Sequence, residues 1–84
     1  MSKELPDQIQ PEDQRVGATL RHFRELRGFK PDPFAAAIGI SRPYLANIEA
    51  GRRPLSNVLL ARAAEVLRVD QIAIMIPNTE AVPA

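Results

Sequence analysis

The 84-residue chain contains no cysteine, which excludes disulfides and thiolate metal sites and fits a cytosolic protein. Its single histidine, His22, is too little for a histidine-based metal centre or catalytic dyad within one chain and reads as a surface or interface residue. No run of eighteen apolar residues occurs, so no membrane span is expected. The N-terminus carries Lys3, Glu4 and Asp7 without an apolar stretch and does not read as a signal peptide. Convincing strand alternation is missing, as are internal repeats and low-complexity tracts. No phosphate-binding glycine loop, metal cluster or nucleophile–base–orienter set can be assembled, so an enzyme is the least favoured class. No cofactor, metal or small-molecule ligand is expected. The length allows one domain with a modest core.

Charge is present but unevenly spread. Residues 1–13 set Lys3 against four acids, a net of −3. Residues 14–69 set ten Lys or Arg against Glu25, Asp32, Glu49 and Glu65, a net of +6. Asp70 and Glu80 give the last fifteen residues a net of −2. A basic centre between acidic ends is suited to a phosphate backbone, although an ordinary solvated surface would also accommodate it.

The pattern predicts five short helices between flexible termini, with an arm over 1–12, a domain over 13–76 and a tail over 77–84. From Asp13 to Arg27, Val16, Leu20, Phe23 and Arg27 recur at helical spacing, and Gly28 ends the run. Asp32 and Pro33 suggest the cap and first turn of a second helix reaching Ile38, and Gly39 permits a tight turn. Ser56 should cap a fourth helix running to about Leu67, with Val58, Leu59, Ala63, Val66 and Leu67 available for the core. Asp70 should cap a last one over 71–75. Leu20, Phe23, Phe34, Leu45 and Ile48 are expected in the core.

The third helix, Ser41 to Ala50, is the most informative. Ser41 is a good N-cap, and Arg42 and Pro43 fall in the first turn, where the missing proline N–H costs little. Leu45, Ile48 and Glu49 share one face; Arg42, Pro43, Ala46, Asn47 and Ala50 share the other. Gly51 stops the helix, and Arg52 and Arg53 follow it. An exposed face with Arg and Asn, anchored by Leu and Ile, suits the reading of base edges in a DNA groove.

The order of these pieces resembles the lambda-repressor-like, Cro-type helix-turn-helix domains of phage and bacterial regulators. The residues that carry the resemblance are Val16-Gly17, Leu20-x-x-Phe23-Arg24, Phe34-Ala35, Gly39-Ile40-Ser41, Tyr44-Leu45-x-x-Ile48-Glu49-x-Gly51 and Ala64-x-x-Leu67-x-Val69. It implies an all-α, five-helix domain whose recognition helix is Ser41 to Ala50, with Arg42, Pro43, Ala46 and Asn47 at the base-reading positions. Arg24 and Glu49 fall at the family's ion pair between the first and third helices. Lys30, Arg52 and Arg53 are expected at phosphates, together with Ser41. Tyr44 is expected at a phosphate through its hydroxyl or simply buried. Ile74 matches a core position, which leaves Ile72, Met75 and Ile76 as an expected homodimer surface.

Three departures stand out. The Thr–Gln pair that usually opens the second helix reads Lys30-Pro31, Pro43 removes an N–H near the DNA, and Arg68 stands where a glycine often follows the fourth helix. The expected function is that of a sequence-specific, double-stranded-DNA-binding transcriptional regulator, a phage-type or small bacterial repressor in the cytoplasm at the nucleoid. The alternative is the DNA-binding antitoxin of a toxin–antitoxin pair. A helical adaptor without DNA affinity is a third reading.

Overall fold

The computed structural model describes residues 10–75. The bulk of the expected arm (residues 1–9), the tail over 77–84 and Ile76 lie outside the described residues. Five helices follow in order: α1 Pro11–Leu26, α2 Pro31–Ile38, α3 Arg42–Glu49, α4 Asn57–Leu67 and α5 Gln71–Met75. No strand occurs among the described residues. α3 packs between α1 and α2, α4 lies against α2, and α5 closes the bundle against α1 and α4.

α1 begins at Pro11, two residues ahead of the expected Asp13. Proline lacks the N–H that the first helical position would leave unpaired anyway, and Gln14 N–H closes the first turn on the Gln10 carbonyl at 2.9 Å. Glu12 and Asp13 then sit in the first turn, where the macrodipole favours negative charge.

α2 departs further from expectation. Its N-cap is Lys30, which makes no side-chain cap, so Asp32 is the second helical residue rather than the cap. Pro31 and Pro33 both fall in the first turn, where neither breaks a helical bond. The first such bond is Phe34 N–H to the Lys30 carbonyl at 3.2 Å. Ser41 and Ser56 do cap α3 and α4, accepting from the N–H groups of Tyr44 at 3.2 Å and Leu59 at 3.3 Å. Before α5, the Asp70 carbonyl rather than its carboxylate accepts Ala73 N–H, at 3.0 Å.

α1 to α4 all terminate with a residue at positive φ after the last turn: Gly28, Gly39, Gly51 and Arg68. In each, the N–H beyond that residue bonds the carbonyl five residues back, as Phe29 does to Arg24 and Val69 to Ala64, both at 3.0 Å. Arg68 therefore adopts φ 61° and ψ 47° without glycine's freedom, and the corner after α4 closes as a glycine would close it. Arg27 reaches across from the end of α1, its Nε donating to the Leu67 carbonyl at 2.8 Å, which satisfies a group left unpaired at the end of α4.

The core is made by Leu20, Phe34, Ile38, Leu45, Ile48, Leu67 and Ile74, all fully buried, with Val16, Leu59, Leu60 and Ala63 around them. Two expectations fail here. Val58 is 60% exposed, and Leu60 takes the inward position instead. Packing against the rest of the bundle turns α4 so that Leu59, Leu60, Ala63, Ala64 and Leu67 form the inner stripe, and Val58 falls outside it. Phe23 is only half-buried against the core.

Candidate nucleic-acid interface

α3 is held from behind by three devices. Leu45 and Ile48 enter the core. Glu49 receives Arg24 of α1 in a two-point pair, Nε to Oε2 at 2.7 Å and Nη2 to Oε1 at 3.1 Å. The remaining Arg24 nitrogen, Nη1, donates to the Phe29 carbonyl at 2.8 Å, so the guanidinium is fixed on two sides. Both side chains are close to buried, at 6% and 10% exposure. The third device is Gly17 on α1. A methyl group there would overlap the Ile48 carbonyl oxygen, so the absence of a side chain lets the backbones of α1 and α3 touch. Gly51 plays the same part at the far end, where an added Cβ would lie 2.7 Å from Gln14 Cα.

The opposite face of α3 is open. Arg42, Pro43 and Ala46 are exposed and Asn47 is half-buried. The loop that follows is anchored to the helix end, because the Asn47 carbonyl accepts the N–H groups of both Arg52 (2.9 Å) and Arg53 (3.3 Å). Arg53 lays its guanidinium over the Tyr44 ring, 5.3 Å from the centroid, within cation–π range. Tyr44 is 37% exposed, so simple burial does not describe it. Ser41 uses its oxygen as the α3 cap, which leaves its O–H proton to donate outward. Lys30, at the start of α2, is also exposed. Away from this face, Ile72 is 65% exposed on α5, Met75 is half-buried and Ile74 is fully buried.

The unit formed by α2, the Gly39 turn and capped α3 has a sequence counterpart. A family model described as a helix-turn-helix domain matches residues 15–73. The chain belongs to the lambda-repressor-like helix-turn-helix family. It is similar to the uncharacterized HTH-type transcriptional regulator YazB of Bacillus subtilis (strain 168), with 41% identity over 59 residues that cover 68% of this chain and 86% of YazB. Among solved structures it resembles the clp gene regulator ClgR from Corynebacterium glutamicum, with a TM-score of 0.78 and 28% identity over 88% of this chain and 79% of that one. The restriction-modification controller protein C.AhdI from Aeromonas hydrophila gives a TM-score of 0.73 and 25% identity over 77% and 98% of the two chains. The antitoxin alternative draws no support from these relatives.

Sequence reasoning missed Gly17 as a contact point and Asp32 as a neighbour of the exposed face. Gly17 sits in mid-helix, where glycine ordinarily weakens a helix; that mismatch between residue and element was the available signal.

Proposed function

We propose that the protein is a sequence-specific transcriptional regulator that inserts α3 into the major groove of double-stranded DNA. The observation that carries this reading is the division of α3: Leu45, Ile48 and Glu49 are tied to the scaffold, while Arg42, Pro43 and Ala46 face solvent with Asn47 at their edge. Arg42 matches guanine O6 and N7, and Asn47 matches adenine N6 and N7. Pro43 and Ala46 offer apolar contact to a thymine methyl. Lys30, Ser41, Tyr44, Arg52 and Arg53 hold phosphates and set the register without reading sequence. The protein acts without a cofactor, as a binder rather than an enzyme.

Two copies joined through Ile72, Met75 and Ile76 would place their recognition helices roughly 34 Å apart, one DNA turn, on a near-palindromic site. Selection of bound sequences from a random DNA library tests the whole reading, since it reports the site, its symmetry and its half-site spacing together. Arg42→Ala should then weaken the selected site by about 1–3 kcal/mol while leaving random DNA almost unaffected. Equal losses on both would make Arg42 a phosphate contact. Sedimentation with and without the selected site tests assembly. A 1:1 complex on one half-site, unchanged by Ile72→Asp, would refute the dimer.

A further inference from the structure

The exposed face holds one ion pair that the scaffold does not need. Asp32 Oδ1 lies 3.7 Å from Arg42 Nε, joining the first turn of α2 to the first turn of α3. The two side chains are 70% and 64% exposed, so the pair adds little to stability. An acid in the first turn of α2 is favoured by the helix dipole alone, but that does not account for its placement beside Arg42. Among the described residues, Arg52 and Arg53 form no comparable pair with a carboxylate. The arginine best placed to read a base is thus the one accompanied by a negative charge.

We propose that Asp32 is a positioning residue that commits Arg42 to a guanine rather than to the phosphate backbone. This rests on the reading of α3 as the groove-entering helix. An unaccompanied arginine beside DNA has two strong acceptors to choose from: the base edge and the nearest phosphate. A carboxylate near Nε leaves the Nη1 and Nη2 edge free as a planar fork, the shape that matches guanine O6 and N7. The same carboxylate repels phosphate oxygens and so penalises the non-specific pose more than the specific one. Specificity then comes partly from an element that opposes the wrong complex. Asp32 would lower affinity for DNA in general and raise the ratio between the best site and its variants.

The test compares the parent, Asp32→Asn, Asp32→Glu, Arg42→Ala and the Asp32→Asn/Arg42→Ala double variant. Each is titrated over a salt series with the selected site, with single-base changes of it, and with random DNA. Thermal melts check that this exposed position leaves the fold intact. Asp32→Asn should bind random DNA more tightly, with a log-affinity against log-salt slope steeper by about 0.9 as Arg42 gains a phosphate. Discrimination at one G·C pair should fall by about 5-fold or more, out of the roughly 5–150-fold that a bidentate contact supplies. Asp32→Glu should restore part of that discrimination, and Asp32→Asn should cause no further loss of it once Arg42 is removed.

Unchanged discrimination in Asp32→Asn would overturn the positioning role while leaving the groove-reading function intact. An equal loss in the Arg42→Ala background would overturn it too, because Asp32 would then be reading a base by itself. A parent protein that selects no sequence at all would refute the functional reading and this inference together.

Discussion

Glu49→Ala should cost this domain a large part of its stability. The substitution removes two hydrogen bonds from the Arg24 guanidinium, at 2.7 and 3.1 Å, each between charged groups. Such bonds contribute about 1.5–3 kcal/mol apiece, so their loss amounts to about 3–6 kcal/mol. Removing one partner of a buried ion pair costs about 3–5 kcal/mol by a separate line of reasoning, and the two ranges overlap. Arg24 has limited means of relief: its Nη1 remains held by the Phe29 carbonyl, its side chain is only 6% exposed, and the next carboxylate, Glu25 Oε2, lies 4.0 Å from Nη2. A chain of 84 residues has a total stability of about 4–13 kcal/mol, so the variant should lie near the edge of folding. Urea denaturation followed by circular dichroism measures the effect through the midpoint at unchanged slope. The Arg21–Glu25 pair is the internal control, with a similar 3.0 Å separation but side chains 62% and 54% exposed. Arg21→Ala, which breaks this pair and leaves Arg24 its neighbouring carboxylates, should leave the urea midpoint almost unchanged, because an exposed pair contributes little. A loss below about 1 kcal/mol for Glu49→Ala, or equal losses for the two variants, would refute the argument that burial makes the difference.

Gly17→Ala should destabilise by at least the 1–3 kcal/mol or so of an overpacked core, because its methyl overlaps backbone that cannot rotate away; a melting temperature equal to the parent's would mean that α1 and α3 part easily. Arg68→Gly should stabilise by about 0.5–1 kcal/mol through relief of the left-handed conformation, raising the melting temperature by a few degrees. No gain would indicate that the Arg68 side chain compensates its own backbone. Replacing Arg52 and Arg53 together with alanine should weaken binding to all DNA sequences and flatten the log–log salt slope by about 0.9 for each phosphate no longer neutralised. An unchanged slope would place both side chains away from the DNA backbone.

Much of the fold is legible because its signals are local. Ser41 and Ser56 cap the helices they precede, and Gly28, Gly39 and Gly51 terminate theirs, since caps and stops depend on a few adjacent residues. The start of α2 is not legible in the same way. In Lys30-Pro31-Asp32-Pro33 either the cap or the second helical position suits an aspartate, and the choice falls to packing of Phe34 and Ile38 in the core. The phase of α4 is ambiguous for a related reason: Val58, Leu59 and Leu60 are consecutive and apolar, and only tertiary contact decides which one faces out. Pairings across long sequence separation are unevenly legible. Arg24 with Glu49 can be placed by resemblance, whereas Arg42 with Asp32 has no such guide, because the usual residues at the head of the second helix are replaced here.

The division of labour on α3 has a consequence for how the protein can change. Leu45, Ile48 and Glu49 carry the attachments of the helix, and Arg42, Pro43 and Ala46 carry almost none. Substitutions at the outer three positions therefore leave the scaffold nearly indifferent, while those at the inner three are paid for in folding. A randomised library confined to positions 42, 43 and 46, with Asp32 varied alongside, should consist largely of folded members. Its members would differ in what they recognise rather than in whether they survive, so new preferences could be sampled without first repairing stability. With α3 as the groove-entering helix proposed above, the same separation would let a lineage drift to new sites one side chain at a time, each intermediate remaining a folded protein.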